Sequence, residues 1–354
     1  MAAAHEIAKQ FMPDHASTFS RKDFTDPQLF ACLVLREHQR KSYRGVEALL
    51  EDCPDWRAEI GLSRTPDHNT LCRAFRRLVK RRRLNSMLDQ MVVWGKQCRL
   101  IEGRIKIVAI DSSMFESRHV SRHFQKRQEQ TARQKRKKAA KIAANRRRAV
   151  VKRLPKLSLA VATAAHLILG ARATTGGGGD QPFFEPLLFE AWCRAGVNIA
   201  VADAGCDSEA NHRSARLDMG VRSIIPPHSG RPTEKPAPTR FRRLMQQRFQ
   251  RKADKRYYGQ RWQAETVNSM IKRNLGSALR ARTARRRSME LLLRVVSHNL
   301  MILAQASGWR QSGLPPLSRH GLRLGARIAL SGFPRTPFRI PGVERLRDTR
   351  CLMR

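Results

Sequence analysis

Residues 105–111 read "IKIVAID", an apolar run rich in β-branched side chains that ends on an acid. A half-exposed strand alternates apolar and polar residues, whereas a run like this, apolar at every position before the acid except Lys106, is the pattern of a strand buried on both faces. The run therefore predicts a central strand with Asp111 at its end. Forward from it, "KLSLAVATAAH" (156–166) and "LILGARATTGGGG" (167–179) predict two more strands, joined at His166–Leu167 and stopped by four glycines. "DQPFFEPLLFEAWCRAG" (180–196) predicts a helix closed by Gly196. "NIAVADAGCD" (198–207) is again a buried strand ending on an acid, Asp203. "SEANHRSARLDMG" (208–220) has a serine cap and a glycine stop, and "VRSIIPP" (221–227) is a further strand. The resulting order, β, β, β, α, β, α, β, α, is that of an RNase H-like mixed sheet, an α/β fold. Residues 240–306 follow as long helices broken near Gly276.

Backward from residue 105 the period is helical. "DPQLFACLVLREHQ", "YRGVEALLEDC" and "TPDHNTLCRAFRRLVKRRRLNSMLDQMVVWGKQ" place apolar residues three and four apart between about Asp26 and Leu100. Thr65 is the expected cap of the third segment, with Pro66 and Asp67 in its first turn. Arg73, Arg76, Arg77 and Lys80 follow along it. A short helix pair ending in a basic helix suits a DNA reader, and equally a small support domain with a charged surface. The expected division is a helical N-terminal domain (1–100), a catalytic domain (101–306) with a basic insertion at 126–156, and an irregular basic tail (307–354).

Charge narrows the class of partner. The 354 residues carry 70 Lys plus Arg against 29 Asp plus Glu, a formal net charge of +41, so a polyanion is the natural partner. Residues 126–156 alone hold fourteen basic side chains and one acid, Glu129. From Arg310 onward there are ten arginines, five prolines and two acids. Nucleic acid outranks a membrane, because the longest apolar run, 157–171, is short and interrupted by His166. The start, "MAAAHEIAKQFMPDHAS", lacks the continuous apolar core of a secretion signal, so a reducing cytosol is expected. Seven cysteines without a CxxC pair argue against a disulfide framework and a zinc ribbon. His119 and His123 are spaced i,i+4 but lack a third nearby ligand.

Chemistry is expected where strands end. In an α/β sheet, ligands collect at the carboxyl ends of the strands, where Asp111 and Asp203 are expected. Each is also a residue type that caps turns, and Asp203-Ala-Gly is turn chemistry as well. On a helix at ~100° per residue, Tyr258, Arg261, Glu265 and Lys272 fall within a ~60° arc. A stripe of phenol, guanidinium, carboxylate and ammonium suggests a site, while Arg261 and Glu265 can also form a solvated i,i+4 pair. Three acids gathered in a basic protein that meets phosphates call for divalent cations with oxygen ligands.

Those four residues reproduce the spacing Y-x2-R-x3-E-x6-K. With "AIDSSMFESRHVSRHF" (109–124) and "VADAGCDSEANHR" (201–213), the chain resembles bacterial insertion-sequence transposases of the DDE type. "YRGVEALL" and "TPDHNTLCRAFRRL" are similar to that family's helical N-terminal region. The resemblance implies an RNase H-like catalytic domain with Asp111, Asp203 and Glu265 as catalytic metal ligands. It implies two Mg²⁺ ions, replaceable by Mn²⁺, and Tyr258, Arg261 and Lys272 on the terminal phosphates. It further implies double-stranded DNA partners (terminal inverted repeats and target DNA), a homodimer that synapses two ends, and a bacterial cytoplasmic, nucleoid-associated setting. Two departures stand out: Cys206 occupies a position that is often aromatic in the family, and only 61 residues separate Asp203 from Glu265. The alternatives are a catalytically silent descendant that binds DNA and a structural nucleic-acid binder. The latter accounts for the charge but leaves three motif blocks as coincidence.

Overall fold

The computed structural model describes residues 1–19, 21–117, 154–176, 178–227 and 239–306. His119, His123, nearly all of the basic run 126–156, most of the proline-rich stretch "PPHSGRPTEKPAPTR" (226–240) and the tail from 307 lie outside the described residues.

A five-stranded sheet forms the centre, in the order β4-β3-β1-β5-β6. Its strands are β1 (Ile105–Met114), β3 (Pro155–Ala162), β4 (Leu167–Thr175), β5 (Val197–Ala202) and β6 (Arg222–Ile224). β1, β3 and β4 pair antiparallel in sequence, and β5 and β6 add parallel to β1. This is the mixed RNase H-like sheet expected from the element order. Every residue of β3 is buried, as its largely apolar sequence favours, the polar Lys156 and Ser158 included. A short parallel pair, β2 (Glu116–Ser117) with β7 (Ala278–Leu279), stands apart from it.

Helix α7 (Gln181–Ala195) packs on β4, β3, β1 and β5, and α8 (Glu209–Arg213) packs on α9 (Arg240–Gln250). Helices α11 (Trp262–Leu275) and α12 (Ala284–Ala306) pack on β1, β3 and β4. On α12 the buried Asn299 clamps β4: its Oδ1 accepts the Ile168 N–H at 2.9 Å and its Nδ2 donates to the Ile168 carbonyl at 2.8 Å. The register of β3 on β4 shifts at that point, and the carboxamide supplies the partners that Ile168 would otherwise lack. The N-terminal helices α1 (Ala2–Phe11), α2 (Asp26–His38), α3 (Tyr43–Asp52), α4 (Pro54–Ala58), α5 (His68–Leu78) and α6 (Arg81–Gln97) share one contiguous apolar core with the sheet.

A buried charge cluster joins these parts. Arg294 of α12, fully buried, donates from Nε to Glu37 of α2 at 3.0 Å and from Nη2 to Glu290 at 3.0 Å. It also donates to the carbonyls of Gly276 (2.6 Å) and Ala278 (3.1 Å), just past the end of α11. Glu37 takes a second bond from Arg36 at 2.5 Å, and the Glu290 carboxylate accepts the N–H groups of Arg280 and Ala281. Gly276 has φ +98°, a conformation that a side chain would strain, and it turns the chain from α11 into β7.

Three expectations need correction. The segment 65–97 is two helices, α5 and α6, broken at Val79–Lys80, so Lys80 does not share a helix with Arg73, Arg76 and Arg77. The cap of α5 is Asp67, whose Oδ1 accepts the Asn69 N–H at 2.5 Å; Thr65 Oγ1 instead accepts from Arg57. Asp111 does not end its strand, because β1 continues against β3 to Met114. No helix among the described residues is long and apolar enough to cross a membrane.

Candidate active site

The parallel pairing of β1 and β5 ends at Ile110 opposite Ala202. The next residue on each strand is Asp111 and Asp203, so the two acids leave that pairing side by side, at the carboxyl end of β5 and three residues before that of β1. Asp203 caps the single 3₁₀ turn Ala204–Cys206, accepting the Ala204 N–H at 2.8 Å, and stays exposed. The turn-cap and site readings of Asp203 are thus compatible, since one cap bond leaves the rest of the carboxylate available.

Helix α11 lies along β1. Asn268 Nδ2 is 3.3 Å from Asp111 Oδ2, and Lys272 Nζ is 2.7 Å from Ser113 Oγ. Four residues of helix rise ~6 Å and two residues of strand advance ~6.6 Å, so successive turns of α11 meet successive same-face residues of β1. Lys272 also lies 5.2 Å above the Phe115 ring. One turn ahead of Asn268, Glu265 Oε1 is 2.5 Å from Arg261 Nη2, and Arg261 Nη1 is 3.8 Å from Asp111 Oδ1. Arg261 thus stands between two of the three acids as their counter-charge. Tyr258, the last residue of helix α10 (Lys255–Tyr258), packs edge-on to Phe249 at 5.2 Å. A 3₁₀ turn, Gly259–Arg261, separates α10 from α11, so the four-residue stripe is carried by a composite helix.

Electrostatics mark the same place. Burial lifts the Asp111 carboxyl above its ordinary value, and Glu265 and Asp180 lift it further, against the Ser112 N–H and Arg261. The Cys206 thiol is pushed up to about 12 by burial and by the carboxylates of Asp180, Asp203 and Asp111. Burial also raises the Tyr258 phenol, with Arg261 opposing. A carboxyl raised in the folded state costs stability once it ionises; that cost is absent below its unfolded value and complete above its folded one. Asp111→Asn is therefore expected to raise the unfolding midpoint at about pH 7.5 in chelator, with the gain vanishing near ~pH 3. A lower midpoint at neutral pH would show that the ionised Asp111 carboxylate does not cost the fold stability.

The donor set suits a hard divalent cation: carboxylate oxygens, partly exposed, at the end of a sheet. Among the described residues, the only three acid or histidine groups with ligand atoms all within 4.8 Å of one another are Glu47, Asp67 and His68 on the N-terminal helices. His68 Nδ1 bonds Glu47 at 2.8 Å and Asp67 caps α5, which accounts for that cluster. Asp111, Asp203 and Glu265 are not gathered that closely.

Sequence reading missed Asp180, Asn268, Ser112, Ser113 and Lys156. Asp180 opens a helix after four glycines, so its acid reads as a cap; the others are ordinary residues in their elements. Of the basic residues singled out on α5, Arg73, Arg76 and Arg77 are exposed, as is Lys80 beyond it. Arg73 and Arg77 line a groove with Arg21 and Arg64, and Arg77 is paired with Asp26. No curated protein matches the chain. The family model described as transposase DDE domain matches residues 102–300, which span the sheet, all three acids and helix α11. With more than half of its length inside that match, the chain belongs to the DDE transposase family.

Proposed function

We propose that this transposase cuts phosphodiester bonds at the terminal inverted repeats of its element and joins the freed 3′-hydroxyl to target DNA. What supports the reading is the adjacency of Asp111 and Asp203 at the end of the β1–β5 pair, beneath the helix that carries Arg261, Glu265 and Lys272. Asp111, Asp203 and Glu265 would hold two Mg²⁺ ions, for which Mn²⁺ would substitute. When bound, such ions activate the attacking oxygen and neutralise charge on the leaving one. Arg261 then exchanges its carboxylate partners for phosphate oxygens, to which its planar fork is suited. Lys272 supplies a point cation two residues along β1 from Asp111, and Tyr258 braces Arg261. We assign residues 1–100 to DNA binding and 101–306 to catalysis, with a homodimer bringing two ends together.

The direct test is incubation of the purified chain and Mg²⁺ with a duplex carrying the repeats that flank its coding region. Nicks at the repeat boundary that disappear in chelator are expected; uncut DNA under all divalent conditions counts against the proposal. Phosphate positioning has its own test. Arg261→Ala and Lys272→Ala are expected to weaken binding to a pre-cut end by ~10-fold, about 1.4 kcal/mol, and to random duplex by much less. Equal losses on both DNAs in a gel shift would leave these residues with a general electrostatic role.

A further inference from the structure

Asp180 sits at the position before α7 where an aspartate ordinarily caps the first N–H groups, yet its side chain makes no cap bond. Its Oδ1 instead accepts from Ser112 Oγ at 2.7 Å and lies 2.6 Å from Lys156 Nζ. Lys156, 4% exposed, also donates to the Gly178 carbonyl at 2.7 Å. One buried ammonium thereby fixes both the acid and the glycine stretch that carries it. The other oxygen, Oδ2, has no bond among the described residues and faces the Asp203 turn, where a Cβ on Gly205 would lie 3.9 Å from it.

Asp111, Asp180 and Asp203 border a small cavity that leaves about 10 Å³ for a water-sized body. That is roughly the room for one water or one ion. Ser158, 2% exposed, lines the same cavity, and its hydroxyl has no hydrogen-bond partner. Neutralising Lys156 would need only one oxygen of Asp180, and would leave the buried Ser158 hydroxyl without a partner.

We propose that Asp180 is a fourth carboxylate of the site and the third donor to the divalent cation held by Asp111 and Asp203, with Ser112 and Lys156 as positioning residues that hold Oδ1 so that Oδ2 faces the cavity. The assignment rests on the metal-site reading of Asp111 and Asp203.

Mn²⁺ titration of the full chain without DNA, read by the electron paramagnetic resonance of the free ion, tests it. Asp180→Asn is expected to weaken Mn²⁺ binding by ~10-fold or more, Asp180→Glu to restore part of it, and Ser112→Ala to weaken it a few-fold. Unfolding midpoints in chelator separate a lost ligand from a lost fold, and Ser112→Ala, which removes a single hydroxyl, carries the test if Asp180→Asn does not fold. Unchanged affinity in the Asp180 and Ser112 variants, beside losses in Asp111→Asn and Asp203→Asn, overturns the assignment and leaves the site reading standing. Unchanged affinity in all of them, or no binding by the unsubstituted chain, overturns both.

Discussion

Cleavage of an end-repeat duplex is expected to fall by at least ~10²–10³-fold in each of Asp111→Asn, Asp203→Asn and Glu265→Gln, the range for loss of one electrostatic stabiliser of a transition state. Each replacement keeps the shape of the side chain and removes one negative charge from a frame that must balance divalent ions. The surroundings cannot compensate, because Arg261 remains beside Asp111 and Glu265 and adds positive charge to whatever is left. Folding should survive. Asn at 203 can still accept the Ala204 N–H, and Asn at 111 can still meet Asn268. Affinity for duplex should hold or rise slightly, since a chain of net charge +41 loses only repulsion of the phosphates. Substantial Mg²⁺-dependent cleavage by any one variant would remove that residue from the site.

Arg294→Ala should be the most destabilising single change in the described residues, by about 3–5 kcal/mol. The substitution leaves Glu37 and Glu290 facing each other in the interior without their shared cation, and removes the donor from the carbonyls of Gly276 and Ala278. Arg294→Lys keeps a charge but not the fork that reaches four acceptors, so an intermediate loss is expected. Denaturant unfolding measures both. A cost under about 1 kcal/mol for the alanine variant would mean that water reaches the cluster and the pairing is worth no more than a surface bridge.

The sheet was legible because each central strand is mostly apolar, as burial on both faces favours, with Lys156 and Ser158 the buried exceptions in β3. Legibility failed where one element serves two partners. β1 is apolar only as far as it pairs with both β3 and β5; its last residues, Ser112 to Met114, pair with β3 alone, so the apolar run stops before the strand does. The break at Val79–Lys80 carries neither glycine nor proline, and apolar residues on both sides of it are buried in the same core, so the helical period runs through it. The polar stripe was visible because Tyr258, Arg261, Glu265 and Lys272 are close in sequence. Asp180 was not: its bond to Ser112 spans 68 residues, and local spacing says nothing of contacts closed across a sheet. The Asn268–Asp111 contact spans 157 residues and was invisible for the same reason.

The matched pitch of α11 and β1 makes the chain between Arg261 and Lys272 a fixed ruler. One residue inserted there would turn everything upstream of it by ~100° and displace it ~1.5 Å along the axis, carrying Glu265 off the face that looks at Asp111. A residue added between β6 and α10 does nothing of the kind, since that interval only has to return the chain to the start of the composite helix. Gene-length variation among relatives should therefore accumulate in the second interval and be absent from the first. The reading frame of such an element can gain or lose whole loops there, whereas a single-codon insertion or deletion in the ruler disables it.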